Sequence, residues 1–173
     1  MKKLIMLNVG IILLAGLVRL LPHPWNFTPV LAACIYSSFY MNNIFLALSL
    51  PLIAVFAGDL SLGFYNGIIW VYSAYILVII FGVFFRDNFS FKKMGLLAVS
   101  GSLIFFIISN FGVWFGGTIY PKNLMGLTAC YIAAIPFFYN SLLGTLMYSG
   151  LFFGFTEWVT ARVKKPIIIP EFR

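Results

Sequence analysis

Charge is what this chain has least of. Only 9% of its 173 residues are Asp, Glu, Lys or Arg, only four are acidic, and it holds one histidine and two cysteines. Soluble domains carry about 25% charged and about 45–50% apolar residues, whereas the apolar share here is 62%. That balance excludes an ordinary water-soluble core and points to lipid as the solvent. The single His23, held between Pro22 and Pro24, has no second His or Cys near it with which to assemble a ligand set, so no metal site is expected. Cys34 and Cys130 lie inside apolar runs, without the Cys-rich secreted context of a disulfide framework. No G-x-S-x-G, P-loop or H-E-x-x-H motif occurs, which removes the signatures of acyl transfer, phosphoryl transfer and metal-assisted hydrolysis. No nucleophile and base stand out as a pair, so the chain is not expected to be an enzyme or to need a cofactor.

What is present is long uncharged sequence: Leu4–Val18, Phe27–Gly58, Leu60–Phe85, Met94–Pro121 and Asn123–Thr156. Several of these reach the ~20 residues that cross ~30 Å of hydrocarbon as a helix. The formal charge of +7 comes from 11 Lys and Arg residues that sit between apolar runs rather than along a basic stripe, so they read as topology signals and not as a nucleic-acid footprint. Met1-Lys2-Lys3 before an apolar stretch has the shape of a signal peptide. The lack of an A-x-A-like site before Arg19, with an apolar chain beyond it, favours a retained first helix.

Nine of the 11 basic residues fall in three segments: Lys2-Lys3, then Arg86 with Lys92 and Lys93, then Arg162, Lys164, Lys165 and Arg173. If short basic segments share the cytoplasmic side, an even number of crossings separates each from the next. The run from Phe27 to Gly58 is then a hairpin turning at Asn42-Asn43, where Asn favours a turn. The run after Asn123 is a single crossing, about 50 Å long as a straight helix and so in need of a break near Pro136 and Asn140. The prediction is an all-α, polytopic membrane bundle forming one domain over 1–173, with about six spans near 4–21, 28–41, 44–58, 68–85, 95–116 and 127–160. Both termini are cytoplasmic, and 161–173 forms a short basic tail.

This topology gathers Arg19, His23, Trp25, Asn26, Asp59, Asn66, Asn110, Trp114 and Tyr120 at the outer side. Each has a plain reading beside a functional one. Asp59 is costly at membrane depth and often functional there, or merely solvated at a helix end. Asn110 and Trp114, four apart on one face, offer an amide and a ring to a ligand, or an interhelical hydrogen bond and an interfacial anchor. Arg19 binds an anion, pairs with Asp59, or snorkels to the interface. Glu157 reads as an interfacial charge beside Trp158 and Arg162. Gly95, Ser100, Gly101, Gly144, Ser149, Gly150 and Gly154 are small enough for close helix packing.

At Pro24-Trp25-Asn26-Phe27-Thr28-Pro29, Gly58-Asp59-Leu60-Ser61-Leu62-Gly63, Ser109-Asn110-Phe111-Gly112-Val113-Trp114 and Tyr120 with Gly126-Leu127, the chain resembles a family of uncharacterised bacterial six-helix membrane proteins, over nearly its whole length. That family is similar in layout to the substrate-binding S components of energy-coupling-factor vitamin transporters. The resemblance implies a protein of the bacterial cytoplasmic membrane that captures a small micronutrient from outside and works with an energising module or other membrane subunit. It also implies a substrate site built from Trp25, Asn26, Asp59, Tyr65, Asn110, Trp114 and Tyr120, to which the anion-binding reading of Arg19 adds an eighth candidate. One departure is that the A-x-x-x-A spacing of the first helix is absent, Gly10 being followed four on by Leu14. The alternative is a non-catalytic scaffold or assembly factor of the cell envelope.

Overall fold

The computed structural model describes residues 2–86 and 90–163, which form six α-helices. They are α1 (Lys2–Val18), α2 (Val30–Tyr40), α3 (Ile44–Leu62), α4 (Ile68–Phe84), α5 (Phe91–Gly116) and α6 (Leu124–Val163). Among the described residues there is no strand. Three helices, α3, α5 and α6, are long and apolar enough to cross a membrane, which points to a membrane protein. The others are apolar but shorter. The basic tail beyond Val163 lies outside the described residues.

The helix ends follow from local chemistry. Met41–Asn43 break the chain between α2 and α3; the Asn43 side chain caps α3 by accepting from the Phe45 amide at 2.8 Å, as an N-cap Asn should. Ser90 does the same for α5, accepting from the Lys93 amide at 3.1 Å. The turn between α3 and α4 holds Gly63 at φ 90 and Gly67 at φ 87, conformations that glycine alone adopts freely. α3 runs on to Leu62, so Asp59 lies within a helix rather than in the turn after it. The helical path of α6 continues across Pro136.

The short α2 is the centre of the bundle. Nine of its 11 residues are buried, and it packs against all five other helices. A helix apolar on every side belongs in such a place. Around Tyr36, Ile35 and Cys34 the core is closed by Ile12, Val55, Val78, Ile79 and Phe153. Close approach is set by only part of the small-residue group that the sequence suggested, together with Gly16 and Gly112. A Cβ on Gly16 would lie 2.7 Å from the Ala54 Cβ, bringing α1 onto α3, while Gly112 abuts the Trp70 ring. Gly101 and Gly144 do pack tightly, but a Cβ on Gly95, Gly150 or Gly154 would meet nothing within 4 Å.

Successive helices alternate in direction, which gives the bundle two ends. At the basic end lie Arg86, Lys92, Lys93 and Arg162. There Tyr36 donates to Asn8 Oδ1 at 2.7 Å and meets Thr156 Oγ1 at 2.5 Å, while Tyr40 donates to Glu157 at 3.0 Å. These bonds tie α1, α2 and α6 together. At the loop end lie the connection from α1 to α2, the turn from α3 to α4, and the connection from α5 to α6.

Candidate functional site

The polar residues of the loop end are organised around one buried carboxylate. Asp59 on α3 is fully buried, and an unpaired charge there would be costly. Arg19, just past α1, supplies the counter-ion: its Nη2 lies 2.7 Å from Asp59 Oδ1, with the side chains 15% and 0% exposed. Tyr72 on α4 donates to Asp59 Oδ2 at 2.8 Å, and Arg19 Nη1 donates to the Val55 carbonyl at 3.4 Å. α3, α4 and the segment just past α1 are thereby joined through one acid. Burial raises the pKa of the Tyr65 phenol, in the α3–α4 turn, above its ordinary value; the charge on Asp59 adds to this and Arg19 opposes it.

Beside this cluster open two adjoining cavities of about 210 Å³ each, which share Asn26, Tyr65, Val71, Phe105 and Ser141 in their walls. One is completed by Asn66, Ser109 and Asn110, with Phe106, Phe137 and Phe138 as aromatic walls. The other is completed by Arg19, Thr28 and Tyr75. Asn26 stands at φ 60, a left-handed conformation in which Asn is several-fold enriched. Its loop is held down from α6: Asn140 Nδ2 donates to the Trp25 carbonyl at 3.0 Å, and Gly144 leaves room for the backbone of Phe27 and Thr28.

Of the eight residues singled out in the sequence, Arg19, Asn26, Tyr65 and Asn110 line this hollow. Asp59 stands behind it as the partner of Arg19. The remaining three are not in its walls. Trp25 is 80% exposed. Trp114 donates from Nε1 to the Pro121 carbonyl at 2.9 Å and lies beneath the Lys122 ammonium, which also bonds the Trp114 and Gly117 carbonyls. That set of contacts closes the α5–α6 connection, and Tyr120 belongs to the same segment. Ser109, Ser141, Thr28 and Tyr72 were not singled out, because a hydroxyl within an apolar run gives no sign of the face it occupies.

With the geometry in place, comparison with known families adds one finding: a family match that runs over residues 1–167. The chain belongs to DUF6580, a family of unknown function. No curated protein and no solved structure matches the DUF6580 chain. Its cysteines, Cys34 and Cys130, are both free and buried. Among the described residues, no group of three His, Cys, Asp or Glu side chains is placed to hold a metal ion.

Proposed function

We propose that this chain is a multi-pass protein of a bacterial cytoplasmic membrane that captures a small polar molecule in the loop-end hollow and passes it inward. The observation that carries this reading is convergence. Asn26, Tyr65, Asn66, Ser109, Asn110 and Ser141 come from four separate segments to one pair of cavities. Amides and hydroxyls at fixed points on apolar, aromatic walls are the usual make-up of a small-molecule site.

The chemistry of the walls narrows the ligand. Arg19 is the charged side chain in them, and it is already neutralised by Asp59. A net-neutral hollow favours an uncharged or zwitterionic molecule, held by amide hydrogen bonds and by stacking on Phe105, Phe106 or Tyr65. At about 210 Å³ each, the cavities fall below the roughly 300–1,000 Å³ of drug-sized pockets. A ligand seated in one of the two is therefore small, in the range of a vitamin fragment or a single heterocycle.

In this reading six helices enter or cross the bilayer, both termini are cytoplasmic, and the hollow faces outward. The Asn26 loop closes over bound ligand, and the bundle then tilts or rearranges to release it inward. The protein itself performs no chemistry. Energy would come from a partner ATPase module or another membrane subunit, in the manner of the S components that the chain resembles in layout. The small cavities and the exposed Trp25 favour a second reading, an envelope scaffold that uses the loop end to grip a partner.

Native mass spectrometry of the protein purified in mild detergent tests the two. A small molecule that is retained by wild type and lost from both Asn110→Ala and Asn66→Ala supports capture. A co-purified envelope protein unaffected by either change, with no small molecule, supports the scaffold and overturns capture.

A further inference from the structure

We propose that the groove between α4 and α5 at the basic end binds an anionic phospholipid. This rests on α5 crossing the bilayer and is independent of the ligand assigned to the loop-end hollow. A cavity of about 450 Å³ lies between the two helices, walled by Phe81, Phe85 and Leu96, with Ser90, Lys92 and Lys93 at its mouth. A second, of about 430 Å³, continues from it along the same helix pair, sharing Phe81 and passing Ile80 to reach Ile104.

The two hollows together are polar and cationic at one end and apolar along the rest. Lys92 is exposed and Lys93 partly so, and both stand in the first turn of α5. From Lys93 to Ile104 is about 16 Å of helix, close to half of the ~30 Å hydrocarbon thickness and hence one leaflet. A lipid seated here places its phosphate at the two lysines and one acyl chain against Phe81, Ile80 and Ile104. Basic mouths between membrane helices suit anionic headgroups, because a zwitterionic headgroup carries its own cation beside the phosphate. Charge complementarity therefore selects the occupant: an ordinary apolar groove accepts any chain, whereas this one distinguishes headgroups.

The test is native mass spectrometry of the full chain with equal amounts of dioleoylphosphatidylglycerol and dioleoylphosphatidylcholine. The expected result is preferential retention of the anionic lipid. The exposed Lys92 contributes about fivefold, and Lys92→Gln with Lys93→Gln removes most of the preference. Arg162→Gln, which removes one charge at the same end but outside the groove and so matches Lys92→Gln alone, leaves it in place. Lys92→Gln alone, at an exposed position, provides the reading if the double variant does not fold. Equal retention of the two lipids overturns the proposal, as would be seen if a partner helix fills the groove. So does a preference that survives the lysine changes, or one that Arg162→Gln reduces as much.

Discussion

Removing the Asp59 carboxylate is the sharpest test of how the loop end is held together. In Asp59→Ala the Arg19 guanidinium loses its counter-ion and Tyr72 loses its acceptor. Breaking one side of a buried ion pair costs about 3–5 kcal/mol. The lower figure applies here, because Arg19 borders a cavity and can gain water there. The orphaned Tyr72 hydroxyl adds about 1 kcal/mol, for a total near 4 kcal/mol. At about 2–4 °C per kcal/mol for a chain of this size, the midpoint falls by roughly 8–16 °C. Replacing both partners by apolar residues, Arg19→Met with Asp59→Leu, leaves no stranded charge and should return to within about 1 kcal/mol of wild type. The assay is unfolding in detergent followed by tryptophan fluorescence, with Asp59→Ala measured beside a double-mutant cycle of wild type, Arg19→Met, Asp59→Leu and their double variant. A single variant weakened by under about 1 kcal/mol would refute the reasoning, as would a double variant no more stable than Asp59→Ala.

At the opposite end, Tyr36→Phe strands Asn8 and Thr156 and should cost about 1–3 kcal/mol, more than Tyr40→Phe, whose partner Glu157 is only half-buried; the same unfolding assay ranks them. Gly16→Ala drives a Cβ into Ala54 and should cost about 1–3 kcal/mol. Adding Ala54→Gly should recover only part of this, since the Ala54 carbonyl oxygen 2.9 Å from the new Cβ stays in place. For topology, the buried Cys34 and Cys130 should make wild type silent to a membrane-impermeant maleimide. His23→Cys and Asn66→Cys should label on intact cells and Asn42→Cys only after permeabilisation; the reverse pattern would invert the orientation.

Much of the helix plan was legible because helix ends are local events. Asn43 caps its own helix through a bond to Phe45, and Gly63 and Gly67 supply the turn that follows. The grouping of Arg86, Lys92, Lys93 and Arg162 at one end also follows from counting helices between them. The site was less legible. In an apolar chain there is no polar face to mark the outside of a helix, so hydropathy gives the length of a segment without its orientation.

By itself, then, the amino-acid sequence determined an apolar, all-helical chain, the places where its helices turn, and the end to which its scattered polar residues are carried. Those outcomes depend on backbone hydrogen bonding and on charge avoiding an apolar medium, and both act over a few residues. Only the tertiary structure decided which polar side chains meet. It buried Asp59 against Arg19 and Tyr72, turned Asn26, Asn110 and Ser141 into one hollow, and assigned Trp114 to closing a connection instead. Those outcomes depend on helix rotation and depth, which are set by where Gly16, Gly101, Gly112 and Gly144 let neighbouring segments approach. Close packing of that kind is a property of pairs of segments far apart in the chain.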